Sequence, residues 1–187
     1  MDAFIETYSG IRFRPFVPHV PDIRLVDIAH ALSHQCRFSG HSREFYSVAE
    51  HSVRVSWLLG TWGHSARVQL WGLMHDASEA YLQDVAAPLK RTSSFESYRD
   101  AERELMRAIC ECFSLQKKEP DVVRQADAVL LATEARDLMP FREDHWATLT
   151  EAPLETPITP WTPTAAKRKF ISRFVELRFN ILLGRKS

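Results

Sequence analysis

The stretches Tyr46-Ser47-Val48-Ala49-Glu50-His51-Ser52, His75-Asp76-Ala77-Ser78-Glu79 and Gln125-Ala126-Asp127 decide how this chain is read. Each sets ligand-type residues on the inward stripe of a segment with helical periodicity. Ser47 with Glu50 three positions on has the form of a capping box, so a helix starts at about Val48. Val48, Ser52, Val55 and Leu59 form its inward line, with His51 at the edge. The next helix is expected from about Ser65 to Leu82. Val68, Trp71, His75 and Glu79 lie along one face of it, and Asp76 lies beside them. A third is expected from near Pro120, a favourable first-turn residue, to near Met139; its stripe is Val123, Asp127, Leu130 and Leu131.

Ionisable groups on a buried stripe are costly unless they are paired or bind an ion. A lone inward histidine is usually a packed core residue. Two imidazoles and two carboxylates supplied by three helices point instead to a metal. His51, His75, Asp76 and Asp127 are the expected ligands. A mixed nitrogen and oxygen set suits Mn, Co, Zn or Fe better than Mg or Ca, which prefer oxygen alone. A divalent ion with open positions activates water at neutral pH, so the chemistry expected is hydrolysis. Glu79, one turn beyond His75, is placed to move a proton there; the competing reading is an ordinary ion pair on the helix surface.

The three ordered motifs resemble those of the HD-domain metal-dependent phosphohydrolases. Within that family the likeness is to the compact branch that hydrolyses deoxynucleotides, which includes bacterial deoxyribonucleoside 5'-nucleotidases and phage dATP triphosphohydrolases. It covers roughly residues 22–140, and the separations of His51 from His75 (24 positions) and of Asp76 from Asp127 (51 positions) fit a compact member. The resemblance implies an all-α fold, a single compact HD-domain helical bundle. It implies proton transfer by Glu79 with Asp84 close by, phosphate binding by Lys90 and Arg37, and stacking of a base on Phe38. Arg43 or Arg91 can replace either cation, and core packing is the alternative for Phe38. Arginine meets phosphate with a planar fork and lysine with a point charge.

The resemblance is less specific for substrate. A dATP-type triphosphohydrolase would release deoxynucleoside and triphosphate from a dNTP; a 5'-nucleotidase would release deoxynucleoside and orthophosphate from a dNMP. Both attack the α phosphorus. Arg37, Arg43, Lys90 and Arg91 exceed what one phosphate needs and favour the triphosphate. Family members acting on cyclic or signalling nucleotides often carry extra histidines between the motifs, whereas only His64 intervenes here. A non-catalytic nucleotide-sensing module is a third reading, opposed by the intact ligand set and Glu79.

Composition narrows the partners. A net charge of zero gives no electrostatic reason to expect nucleic acid or an anionic membrane. The start Met1-Asp2-Ala3-Phe4 lacks the basic and apolar regions of a signal peptide, and no apolar run is long enough to span a bilayer. Cys36, Cys110 and Cys112 read as free thiols; the last two diverge on a helix. A cytoplasmic protein with a small-molecule nucleotide substrate is the expectation.

Around the motifs, residues 4 to 16 alternate and turn at Ser9-Gly10, which allows a short hairpin of Ile5–Tyr8 with Ile11–Phe13. Asp22 is expected to cap a helix to about Leu32, lined by Ile23, Val26 and Ala29 or His30. A loop follows from His34 to Tyr46, and an irregular segment runs from Asp84 to Pro88. Ser93 and Glu96 form a second capping-box pattern before a helix to about Phe113. Residues 140 to 163 carry five prolines with Trp146 and Trp161. So long a connection is expected to cover a neighbouring subunit of a homo-oligomer or the pocket mouth, the alternative being an arm packed on its own domain. Thr164 is expected to cap a last helix, with Phe170, Phe174, Leu177 and Ile181 inward and Gly184 closing it.

Overall fold

The computed structural model describes residues 3–140, 146 and 149–184. They form a mostly helical fold: α1 (Leu25–His34), α2 (Val48–Thr61), α3 (Ala66–Met74), α4 (Glu79–Leu82), α5 (Ala87–Lys90), α6 (Glu96–Phe113), α7 (Asp121–Leu138) and α8 (Pro163–Leu182). A two-stranded antiparallel ribbon precedes them, β1 (Ile5–Glu6) and β2 (Arg12–Phe13), with Ile5 opposite Phe13. The ribbon is shorter than its alternation allows. Asp27, buried on α1, captures the Thr7 hydroxyl at 2.9 Å and the Ser9 amide and hydroxyl at 2.7 and 2.8 Å, which pulls the turn out of the ladder.

The layout follows from α2 and α8. Phe170 and Leu177 of α8 are fully buried and belong to one apolar cluster with Ile28 and Leu32 of α1 and Leu70 and Leu73 of α3. A second cluster joins Val55 and Leu59 of α2 to Val123 and Leu130 of α7. Gly72 on α3 lets α2 come close: a Cβ there would sit 2.3 Å from the Leu59 Cδ1.

Several local expectations are corrected. The helix read as continuous from Ser65 to Leu82 is broken over residues 75–78. The His75 ring takes the Gly72 carbonyl through Nδ1 at 2.8 Å, and tight turns link Ala77 to Met74 and Glu79 to Asp76. Asp22 lies in a 3-10 turn (Val20–Asp22), and α1 starts only at Leu25. Pro88 sits in the first turn of α5 instead of ending an irregular segment. Ser93 forms no capping box, because residues 93–95 make a 3-10 turn of their own. Thr162, not Thr164, caps α8, accepting from the Ala165 amide at 3.3 Å. Ser47 does cap α2, accepting from the Glu50 amide at 3.1 Å. The inward line of α7 is Val123, Ala126, Leu130 and Glu134, while Leu131 is only half-buried.

The described part of the proline-rich segment packs on its own chain. Thr133 accepts from the Leu154 amide at 2.9 Å and Asp137 from the Ile158 amide at 2.8 Å. Glu50, fully buried, accepts from the Trp161 amide at 2.7 Å, and the Trp161 ring meets Trp57 edge-on at 5.4 Å. Residues 141–145 and 147–148 of this segment lie outside the described residues. Cys36, Cys110 and Cys112 are free thiols. Among the described residues no helix is long and apolar enough to cross a membrane.

Candidate metal centre

Three elements bring the expected ligands together. His51 comes from the first turn of α2, His75 and Asp76 from the break after α3, and Asp127 from the second turn of α7. His51 Nε2 lies 3.3 Å from His75 Nε2, 3.1 Å from Asp127 Oδ1 and 3.8 Å from Asp76 Oδ2. His75 Nε2 lies 3.1 Å from the same Asp76 oxygen. His51, His75 and Asp76 thus each offer a ligand atom within 4.8 Å of the others.

The outer nitrogens fix what the inner ones can do. His75 Nδ1 faces the Gly72 carbonyl at 2.8 Å, and His51 Nδ1 faces Glu134 Oε1 at 2.7 Å. A carbonyl or carboxylate oxygen only accepts, so each Nδ1 carries a proton and donates it. With both rings neutral, the His51 Nε2 lone pair would face His75 Nε2, Asp76 and Asp127, and that of His75 would face His51 and Asp76. Such a cluster calls for positive charge, held as a proton on an imidazole in the metal-free protein or as a bound cation. His51, His75 and Asp76 form the close group, Asp127 stands beside His51, and a mixed nitrogen and oxygen set suits a divalent transition metal.

The electrostatics agree. Burial disfavours a charged His75, yet Asp76 and Asp127 outweigh it and hold its pKa up to about 10. Burial and Arg37 oppose charge on His51, but Glu134 and Asp127 raise it. Asp76 is kept well below the usual carboxylate range by His75, His51 and Arg37 against the effect of burial. Asp127 is lowered in the same way by the two histidines. The field that favours a proton here favours a metal ion for the same reason.

Beside this centre lies a pair of acids, Glu79 and Asp84, whose pKa values are raised. Glu79 opens α4 and is buried. Burial, Asp76 and Asp84 push its pKa well up against the pull of Lys90. Its Oε1 accepts from Lys90 Nζ at 2.8 Å, while Oε2 is buried without a hydrogen-bond partner among the described residues. Asp84 is raised as well, by burial and by Asp76. Gln35 ties the two acids together: its amide nitrogen donates to the Glu79 carbonyl at 2.9 Å, and its oxygen accepts from the Asp84 amide at 3.2 Å. Between them Gln83 is held at φ +71° and ψ 151°, a conformation nearly reserved for glycine that costs on the order of 1–3 kcal/mol. The neighbouring contacts pay for it.

The expected phosphate cations are engaged with acids. Lys90 Nζ bridges Glu79 and Glu102, at 2.8 and 2.7 Å. Arg37 lies 3.1 Å from Glu134 Oε2 and 3.6 Å from Asp76 Oδ2. Arg43 and Arg91 are exposed. Phe38 is held at φ +55°, strained for a bulky side chain, and its ring meets Trp146 edge-on at 6.2 Å. Sequence reasoning gave no role to Glu134, which follows the Asp127 motif, and missed Gln35 and Glu102. A signal existed for Glu134 alone: it follows Asp127 by seven positions and shares its helix face.

No protein-family model matches this sequence. The chain is 38% identical over 177 residues to the uncharacterized protein YfdR of Escherichia coli (strain K12), which spans 94% of this chain and 96% of that protein. The chain belongs to the YfdR family. An uncharacterized protein of Rhodobacter capsulatus is 33% identical over 149 residues, or 75% of this chain and 76% of its own length. Neither name carries an activity, so the function of this YfdR-family chain has to be argued from the centre itself.

Proposed function

We propose that this chain is an HD-type metal-dependent phosphohydrolase acting on 2'-deoxynucleotides. The observation that carries the reading is the close His51–His75–Asp76 group, with Asp127 against His51, beside the buried, pKa-raised Glu79. A divalent transition ion bound there supplies Lewis-acid activation of water and of the phosphoryl group. Asp76 and Asp127, held ionised, balance its charge. Glu79 moves the proton at Oε2, the oxygen left without a partner among the described residues, while Lys90 fixes Oε1. Asp84 is the second proton-carrying group. Phe38, with Trp146 at its edge, offers a face to the base.

The triphosphate version draws on a surplus of cations. Arg37 and Lys90 are each engaged with two carboxylates, which leaves Arg43 and Arg91 as the exposed pair. This favours the second version, a deoxyribonucleoside 5'-nucleotidase, over the dNTP triphosphohydrolase that the sequence favours. The test is a panel of dNMPs and dNTPs with Mn, Co, Zn and Mg, assayed separately for orthophosphate, pyrophosphate and triphosphate. Orthophosphate from dNMP supports the nucleotidase, and triphosphate from dNTP the other version. Nucleotide binding without turnover under every metal would instead leave a sensing module.

A further inference from the structure

Glu134 is fully buried on α7, and the proposed chemistry makes no use of it. Its two oxygens serve different partners. Oε1 accepts the His51 Nδ1 proton at 2.7 Å. Oε2 accepts from Arg37 Nε at 3.2 Å and lies 3.1 Å from Nη2. Arg37 in turn sets Nη1 3.6 Å from Asp76 Oδ2. One carboxylate therefore reaches two of the four candidate ligands, one directly and one through Arg37.

A bland account would have Glu134 merely neutralise a buried arginine. The geometry argues otherwise. Its shortest contact is to the imidazole, at the nitrogen turned away from the centre. A proton donated there to an anion fixes the ring's tautomer and orientation and makes the inner nitrogen more basic. Arg37 is equally constrained. Its amide donates to the Tyr46 carbonyl at 2.9 Å, and its side chain is only 12% exposed. A guanidinium anchored this firmly to the framework is poorly placed to follow a substrate phosphate.

We propose that Glu134 is a positioning residue of the metal centre, fixing His51 directly and Asp76 through Arg37, and that Arg37 belongs to this frame instead of the phosphate site. The inference rests on the metal-centre reading given under Proposed function, and its test uses metal alone. Zn²⁺ affinity is measured on the full chain by competition with a chelator. A wild-type chain that held no Zn²⁺, Co²⁺ or Mn²⁺ would overturn the metal reading and this inference with it. If the wild type binds, Glu134→Gln is expected to weaken Zn²⁺ about 10- to 100-fold with stoichiometry and helix content kept. Unchanged affinity would overturn the inference alone.

Removing one partner of a buried pair can unfold a protein, so an Arg37→Met/Glu134→Leu double variant forms the second arm; apolar groups of similar size often replace such a pair without loss of stability. It is expected to fold and still bind Zn²⁺ about tenfold or more weakly, since His51 has lost its acceptor. Wild-type affinity in that variant would show that Glu134 only neutralises Arg37. A third measurement needs no variant. In the Zn²⁺-loaded wild type with ¹⁵N-labelled histidine, His51 Nδ1 is expected to be protonated and slow to exchange. A metal-bound or freely exchanging Nδ1 would overturn the assignment.

Discussion

Raising the pH from 7 to 8 should strengthen metal binding by at least about tenfold. In the metal-free protein Asp76 and Asp127 hold the His75 pKa up to about 10, so at pH 7 its imidazole carries a proton. A metal at Nε2 must displace that proton, and binding therefore improves as pH rises, until about pH 10. The gap from pH 7 is about three units, so roughly 4 kcal/mol of metal-binding free energy is withheld at neutral pH. His51, raised in the same direction, adds to the release. Asp76 and Asp127 are lowered and already ionised, so they add nothing. The affinity should thus climb between one and two logarithmic units per pH unit, about 1.4 to 2.7 kcal/mol. Calorimetry of Zn²⁺ or Co²⁺ binding in buffers of different ionisation heat gives the proton count directly, and chelator competition from pH 6.5 to 8.5 gives the slope. A flat profile above pH 7 would mean that His75 is already neutral there, and the account of two carboxylates dominating over burial would be refuted.

Other consequences are equally open to measurement. Glu79→Ala should keep the metal and lower kcat by about two to four orders of magnitude; near wild-type turnover would remove Glu79 from the mechanism and leave Asp84. Gly72→Ala should lower Tm, because overpacking against the buried Leu59 costs about 1–3 kcal/mol and outweighs the roughly 1 kcal/mol that alanine gains in a helix; an unchanged or raised Tm would show that α2 and α3 yield easily. The homo-oligomer expected from the sequence should scatter light as more than the 21.6 kDa chain, and Trp161→Ala should leave its mass unchanged, since Trp161 packs on its own domain. A fully active monomer would reject the assembly, and dissociation of the variant would place Trp161 between subunits.

Much of the centre was legible because its ligands sit on periodic segments. His51, His75, Asp76 and Asp127 each fall on or beside an inward stripe; the fold brings His51, His75 and Asp76 within 4.8 Å of one another and sets Asp127 3.1 Å from His51. What the sequence hides is local competition. The helical period runs unbroken through residues 75–78, yet the chain turns there, because the His75 ring takes the Gly72 carbonyl. Ser47 and Ser93 present the same capping pattern, but only Ser47 caps; the chain around Ser93 closes a 3-10 turn first. Arg37 and Lys90 read as free cations because their acidic partners sit on other elements: Glu134 lies 97 positions from Arg37, and Glu79 and Glu102, on α4 and α6, lie 11 and 12 positions from Lys90. Glu134 follows the Asp127 motif but received no role from the sequence, because its role is defined by His51 and Arg37, 83 and 97 positions away.

The most direct test of the central claim is a ³¹P NMR time course on the metal-loaded chain with dNMPs and dNTPs, run in parallel on Asp76→Ala with its metal content measured. The account predicts that the wild type releases orthophosphate or triphosphate from a deoxynucleotide only when metal is present. It predicts that folded Asp76→Ala loses metal and turnover together. A folded Asp76→Ala protein with full metal content, or wild-type turnover that persists after the metal is stripped, would contradict it.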